Sequence, residues 1–263
     1  MTGPERRDIL KKPSNMKSYI TTFVLIFLLW WSADKTDSSI AKLIEGLPEM
    51  GKLLVEMVPP DWSYIDVVWK PMAETIQMAV IGTTLGGLAA IPIALLAASN
   101  VTHNPWIYHP ARIILNLIRT IPELLFAGLF VAIFSIGVMP GVLALAFFSF
   151  GLIAKLTYES IEAIDPGPLE AMTAVGANKL QWIHFGVVPQ VAAQYIAYFL
   201  YTFEVNVRAA AVLGLVGAGG IGLTLDRTLQ LFRYDRSALI IILTLAIVVL
   251  IDFVSTKIRE RLL

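Results

Sequence analysis

Long apolar runs, separated by shorter polar passages, dominate the hydropathy pattern of this chain. The runs lie at about 20–33, 72–98, 111–136, 138–158, 190–216 and 237–256. A helix needs roughly 20 apolar residues to cross a bilayer, and only the first run is shorter than that. The pattern therefore predicts an all-α, polytopic membrane protein of about six transmembrane helices.

The N-terminal region combines a polar, basic passage at 1–17 with the short first run. A cleaved signal peptide is the alternative interpretation of this run. Trp30 and Trp31 lie where small residues should precede a cleavage site, and tryptophan is typical of the membrane interface. We therefore expect a loose cytoplasmic tail at 1–17, an uncleaved anchor, and one membrane domain over 18–263.

An acidic, amphipathic passage at about 34–70 separates the first two runs. Apolar residues recur there at helical spacing, which predicts an amphipathic helix on the outer surface. They are Ile40, Leu43, Ile44, Leu47, Leu54 and Val58. Two roles are open for this helix: packing over the outer ends of the spans, or contact with an extracytoplasmic partner.

The distribution of basic residues predicts the orientation of the spans. If the basic N-terminus is cytoplasmic, six crossings return the C-terminus to the cytoplasm, together with Lys257, Arg259 and Arg261. The 34–70 passage then lies outside, and a loop at about 159–189 lies inside. Three arginines fall on the outer side of this map and indicate either an anion pocket or a more complex local topology. They are Arg227, Arg233 and Arg236.

The composition supports a place in the bilayer and excludes several classes of site. Only 15% of the residues are charged and 57% are hydrophobic, whereas soluble domains carry about 25% charged residues. The chain has no cysteine, so disulfides and thiolate metal sites are excluded. Its three histidines lie far apart without ligand spacing. We expect no bound metal, no cofactor and no nucleic acid.

Two apolar runs carry charged residues well inside the predicted membrane, where such residues usually form pairs or line a water-filled path. Arg119 and Glu123 stand four apart in the third run, and Glu204 and Arg208 stand four apart in the fifth. A structural salt bridge and a translocation pathway are both open, with Arg208 facing an anionic solute in the second case. Asn206 is a pathway candidate too, although its position on the helix favours a bond between helices.

Two glycine motifs imitate nucleotide-binding loops. Gly217, Gly219, Gly220 and Gly222 follow a membrane helix rather than the strand that a dinucleotide fingerprint requires. We expect them to permit close packing or a kink at the outer mouth of a pathway. The run GLPEMGKL at 46–53 fits the phosphate-loop spacing but has leucine where serine or threonine should bind magnesium. The chain therefore has no predicted nucleotide site.

The pattern of the loop at 159–189 predicts a helix, a break and a second helix. Asp165 and Pro166 suit an N-cap and first helical position, and Gly176 supplies a terminator. Asn178 can cap the second helix, whose predicted apolar face comprises Leu180, Ile183 and Phe185. Pro189 marks the expected start of the next membrane helix.

This loop resembles the E-A-A-x-x-x-G-x9-I-x-L-P signature of ABC-importer permeases. Four positions match the signature in identity and spacing: Glu170, Ala171, Gly176 and Pro189. Three positions depart from it: Met172, Gly186 and Val188. The runs 59–83, 159–191 and 203–225 further resemble the permease subunit of phosphonate-type ABC importers.

The resemblance implies an ABC importer type I permease-like fold in a bacterial inner membrane, with both termini cytoplasmic. It implies a homodimer, two cytoplasmic ATPase subunits that hold ATP and magnesium, and a periplasmic or lipid-anchored binding protein that delivers phosphonate, phosphite or phosphate. The element that would couple ATP hydrolysis to the spans comprises Glu170, Ala171, Met172, Gly176 and Ala177. Alternatives are a methionine or other amino-acid permease, a secondary transporter using intramembrane glutamates and arginines, and a non-transporting scaffold.

Overall fold

A computed structural model describes residues 16–36 and 39–262, and every regular element within them is helical. The tail predicted at 1–17 lies outside the described residues, apart from its last two. The α-helices are α1 (Met16–Lys35), α2 (Ile40–Glu56), α3 (Ile65–Ala97), α4 (Pro105–Thr120), α5 (Glu123–Phe134), α6 (Val138–Glu162), α7 (Pro166–Ala174), α8 (Lys179–Trp182), α9 (Val188–Leu213), α10 (Gly220–Gln230) and α11 (Tyr234–Leu262).

The chain divides into two compact units, with the boundary between Val55 and Glu56. In the first unit, α1 is apolar and buries none of its residues, as expected for a helix surrounded by lipid. The amphipathic helix predicted over 34–70 is present but shorter, because α2 ends at Glu56 and Val58 lies beyond it. The described remainder of the predicted segment includes the end of α1, the loop and 3-10 turn that follow α2, and the start of α3.

In the second unit, α3 begins seven residues before the predicted start of the second span. The Asp61 carboxylate accepts a hydrogen bond from the Ser63 N–H at 3.2 Å and thereby starts a short 3-10 turn that leads into the helix. Asp66 lies in the first turn of α3, where a negative charge favours the helix dipole. With 33 residues, α3 is about 50 Å long and exceeds the hydrocarbon core of a bilayer.

The third predicted span is wrong as a single helix. It is a broken pair, α4 and α5, whose axes meet at 85°. Pro122 provides the reason: it has no N–H to donate, and its ring disfavours the helical conformation at the preceding residue. Ile121 accordingly adopts an extended conformation, with φ −87° and ψ 118°. Five other helical segments are long and apolar enough to span a membrane, so the expected total of about six includes this bent pair.

The core of the second unit lies where α3, α6 and α9 pack together. Small residues bring α3 and α6 close: a Cβ atom on Gly86 would collide with the Ala146 carbonyl oxygen. Close approach at glycine is a common way to pack membrane helices, because apolar burial alone drives little association in lipid. The short elements α7, α8 and α10 are held at the ends of this three-helix core.

Candidate functional site

The helix α7 begins and ends as the sequence signals predict. The Asp165 carboxylate caps it by accepting from the Gly167 N–H at 2.9 Å. Gly176 terminates it with φ +72°, a left-handed conformation that glycine adopts without strain. The N–H groups of Gly176 and Ala177 donate to the carbonyls of the last turn, at 3.0 Å each.

The second helix, α8, starts with a capping box. The Asn178 side chain accepts from the Gln181 N–H at 2.9 Å, and the Gln181 side chain accepts from the Asn178 N–H at 3.0 Å. A five-residue π turn at 183–187 then carries the helix directly into α9. Leu180 and Phe185 are 79% and 60% exposed, whereas Ile183 packs against the core, so only part of the predicted apolar face is packed within this chain.

Together, α7 and α8 contain the residues predicted to couple ATP hydrolysis to the spans. We call residues 166–182 the coupling segment after that prediction, and most of the segment is exposed. Within α7 only Leu169 is buried. Glu170, Ala171 and Gly176 are exposed, and Met172 and Ala177 are half-buried. A cleft of about 490 Å³ lies between α7 and the loop that joins α3 to α4, and His103, Glu170 and Trp182 are among its lining residues. The segment therefore offers a formed surface with a cleft beside it.

Two departures from the permease signature face each other in space. A Cβ atom added to Gly186 would lie 2.9 Å from Cδ2 of Leu169 and 3.7 Å from Cγ of Met172. A large residue at position 186, as in the signature, would therefore collide with the side of α7. The larger Met172 side chain thus lies next to the space that the smaller Gly186 leaves, which predicts that the two departures compensate each other.

Asn206 lies between helices rather than on the exposed face of α9. Its side chain is fully buried, and its Nδ2 donates to the Thr83 hydroxyl at 2.7 Å and to the Ser149 hydroxyl at 2.6 Å. These contacts join α9 to α3 and α6. The Oδ1 atom of Asn206 has no hydrogen-bond partner among the described residues. This geometry is that of an interhelical link.

Glu204 accepts hydrogen bonds from two arginines, one on each carboxylate oxygen. Arg208 binds Oε1, as the sequence spacing suggests, and Arg259 from α11 binds Oε2 at 2.9 Å. The Glu204 side chain is 6% exposed, whereas that of Arg208 is 51% exposed. Asp252 of α11 also lies within interaction range of Glu204. Sequence reasoning used Arg259 only to orient the C-terminus and missed its contact with Glu204. It also missed Asp252, although this residue interrupts an apolar run.

The structure does not pair Arg119 with Glu123. The break at Pro122 separates them, and no ion pair joins them within residues 39–262. Arg119 is exposed and Glu123 is half-buried. A Cβ atom on Gly151 would lie 2.9 Å from Cγ of Arg119, which places this arginine beside the middle of α6.

Two of the three arginines predicted to lie on the outer side, Arg233 and Arg236, pair with carboxylates. Arg236 pairs with Asp61 at 3.2 Å and stacks 4.5 Å from the Tyr64 ring, and Arg233 pairs with Asp235 at 3.3 Å. Hydrogen bonds from Ser63, and then the bond from Arg236, hold the pKa of Asp61 below its usual range. Arg233 and Arg236 thus stabilise the junction between the start of α11 and the turn before α3, and they do not form an open anion pocket.

The glycines at 217–222 permit backbone conformations and close contacts that a side chain would prevent. Gly217, Gly219 and Gly220 all have positive φ, and the Gly137 N–H donates to the Gly217 carbonyl at 3.0 Å. A Cβ atom on Gly222 would collide with the carbonyl oxygen of Ala211. The loop therefore closes tightly between α9, α10 and the start of α6, and it follows a helix as expected. Whether it acts as an outer gate stays a prediction.

Among known proteins, a model of the family "Binding-protein-dependent transport system inner membrane component" matches residues 90–263. The Stutzerimonas stutzeri protein HtxC, named as a phosphite transport system permease, is 37% identical over all of this chain and 92% of its own length. The phosphate-import permease protein PhnE of Mycolicibacterium smegmatis is 40% identical to this chain. The match covers 89% of this chain and 43% of PhnE.

A solved structure has the same fold. It is an inward-facing conformation of the MetNI methionine ABC transporter, which covers 77% of this chain and 99% of its own. The TM-score is 0.69 at 21% sequence identity, so the likeness concerns the fold alone.

Proposed function

Because this chain belongs to the family of binding-protein-dependent transport system inner membrane components, as a permease of the ABC-importer class, we propose that it carries a small phosphorus oxyanion into the cell. Phosphonate, phosphite and phosphate share a compact tetrahedral anionic group. The names of the relatives HtxC and PhnE refer to phosphite and phosphate. The methionine transporter supports the fold only, so an amino-acid solute is the weaker alternative.

The exposed coupling segment is the observation that carries the proposal. A helix of nine residues that buries one side chain contributes little to its own chain, yet caps at both ends fix it in place. Glu170 and Ala171 face outwards beside the cleft at His103. We infer that a separate cytoplasmic ATPase binds this surface, because the chain offers no nucleotide loop of its own.

The proposed mechanism is alternating access between two permease chains, each with an ATPase subunit. Closure of the ATPase pair would push the coupling segments together and open the outer side towards a binding protein. The released anion would then meet Arg208, whose half-exposed guanidinium keeps donors free beyond its bond to Glu204. Hydrolysis would restore the inward-facing state. In this scheme the second permease is another copy of this chain, and both termini are cytoplasmic.

Reconstitution with the cognate ATPase and binding protein tests the proposal. We expect ATP-dependent uptake of radiolabelled phosphite or phosphonate into liposomes. Replacing Glu170 with arginine should leave the fold intact but abolish the link between hydrolysis and uptake. The matched control is Glu260→Arg, at an exposed site near the end of α11.

Three results would contradict the proposal. Uptake driven by a proton gradient without any ATPase would instead support a secondary transporter. Full uptake by the Glu170→Arg variant would show that α7 is not the coupling element. Methionine uptake in place of the phosphorus oxyanions would favour the amino-acid alternative.

A further inference from the structure

Lys179 reaches out of the coupling segment to another part of the chain. Its amino group donates to the Val101 carbonyl at 2.5 Å and lies 4.4 Å from the Trp182 ring centroid. Val101 is buried in the loop between α3 and α4. A single side chain thus connects the start of α8 to a loop 78 residues earlier in the sequence.

The position of Lys179 is unfavourable for α8 itself. It is the first residue of a helix that continues through the π turn into α9, and the positive end of the helix dipole lies there. A lysine at this site needs a compensating contact, which the Val101 carbonyl and the Trp182 ring provide. The contact between elements therefore explains the residue better than local helix stability does.

On the far side of Val101, the loop is bonded to the end of α6. Asn100 donates to the Ile161 carbonyl at 2.6 Å, and the Ser99 N–H donates to Glu162 at 2.8 Å. The same Glu162 oxygen accepts from Arg112 of α4 and from the Ser99 hydroxyl. One carboxylate of α6 therefore holds both α4 and the α3–α4 loop.

Arg112 extends these contacts to the end of α3. Its Nε donates to the Ala97 carbonyl at 2.8 Å, and its guanidinium lies 5.0 Å from the rings of both Tyr108 and Tyr158. Arg112 and Glu162 are about three-quarters buried. Ion pairs with this degree of burial and several shared hydrogen bonds have one well-defined geometry.

At the other end, Trp182 ties α8 back to α7. Its Nε1 donates to the Leu169 carbonyl at 3.0 Å. Direct contacts therefore run without interruption from α7 through Trp182 and Lys179 to the α3–α4 loop, and from there to α3, α4 and α6.

We propose that Lys179, Arg112 and Glu162 are positioning residues that form a cytoplasmic clamp, which makes the coupling segment move together with the inner ends of α3, α4 and α6. The proposed function supplies the force, so this inference rests on it. Leu169 and Trp182 pack against the core, and Asp165 is bonded to Gln190 of α9. Lys179 adds the one described hydrogen bond from α8 to the α3–α4 loop, and without it a push on α7 could be absorbed by a local movement of α8.

The variant Lys179→Met tests the clamp, because it keeps the length of the side chain and removes its charge and donors. In the reconstituted complex, we expect assembly and ATP hydrolysis to persist while solute taken up per ATP falls about fivefold or more. Lys179→Arg should restore most of the uptake, since guanidinium can both donate to a carbonyl and stack on tryptophan. The control Lys257→Met removes an exposed lysine at the end of α11.

Unchanged uptake per ATP in Lys179→Met would overturn the clamp and leave the proposed function standing. Absence of ATP-driven uptake in the unaltered protein would instead count against the proposed function. The two failures are therefore distinguishable.

A second measurement covers the case in which Lys179→Met fails to assemble. The chain has no cysteine, so spin labels can be placed by Trp106→Cys and Leu180→Cys, at positions that are 89% and 79% exposed. In the otherwise unaltered complex, the clamp predicts one distance between these labels in all nucleotide states of the ATPase. A distance that changes through the cycle would refute joint movement of α4 and α8.

Discussion

Removing the acceptors of Asn206 should destabilise the protein more than removing Asn206 itself. The Thr83 and Ser149 hydroxyls already donate to carbonyls of their own helices, at 2.7 and 2.6 Å, while each accepts one N–H of Asn206. They keep these bonds when Asn206 is replaced by leucine. When Thr83→Val and Ser149→Ala are combined, however, both Asn206 N–H groups lose their partners in the core.

The magnitudes follow from this asymmetry. Interhelical hydrogen bonds in membranes contribute about 0.6 kcal/mol each, so Asn206→Leu loses about 1.2 kcal/mol. It also removes the buried Oδ1 atom that has no partner among the described residues, and this removal stabilises the protein by about 1 kcal/mol or more. The net change should be close to zero. Each buried N–H without a partner costs about 1 kcal/mol or more, so the Thr83→Val, Ser149→Ala double variant should lose about 2 kcal/mol.

Unfolding by SDS titration in mixed micelles, followed by circular dichroism, gives the free energies. The decisive variant combines all three changes: once Asn206→Leu has removed the amide, the loss caused by the double change should shrink to a few tenths of a kcal/mol. Additive losses, or a loss for Asn206→Leu as large as that of the double variant, would refute the reasoning. Uptake provides an independent criterion, since Asn206→Leu should still transport if this residue links helices and does not contact the solute.

Two further predictions concern the coupling segment and the outer junction. Gly186→Ile should lower the free energy of unfolding by about 1–3 kcal/mol, because the new side chain collides with α7. Adding Met172→Ala should recover part of this loss. Strictly additive effects in the same SDS titration would contradict the compensation. Asp61 has a lowered pKa in the folded state, so its contribution to stability is present above the ordinary carboxyl pKa of 3.8 and is lost as the pH falls below that value. Hydrogen exchange of 61–64, corrected for intrinsic rates, should increase at low pH, and Asp61→Asn should remove that dependence. An unaltered pH dependence in that variant would disprove the role of Asp61.

The two helices of the coupling segment could be predicted from sequence because their start and stop signals are local. Asp165, Gly176 and Asn178 act on backbone groups within a few residues, and the structure contains all three caps. The bend between α4 and α5 was missed although Pro122 is visible in the sequence. Hydropathy averaged over a run gives the apolar length but not the direction of the axis, so a kinked pair and one span look alike.

Contacts between distant parts of the chain were beyond sequence reasoning for a different reason. Glu204 and Arg208 share a helix, so their spacing indicates an ion pair. Arg259 is 55 residues away, and its reach to Glu204 depends on how α11 packs against α9. The clamp at Glu162 likewise depends on the packing of three elements. Each of these polar groups has an evident chemistry, but its partner is determined only by the fold.

The exposed charges inside the bundle lie near one depth, and this limits where a solute path can run. Asn206 bonds to Ser149 and Arg119 lies beside Gly151, so both are level with the middle of α6. Asn206 has both of its donors occupied between helices, and the core around it is closed. Arg208 lies about half a turn further along α9 with half of its side chain exposed. An anion crossing this layer would therefore meet donors on the exposed side chains of Arg208 and Arg119, and a path through the α3–α6–α9 core would have to break the Asn206 link first.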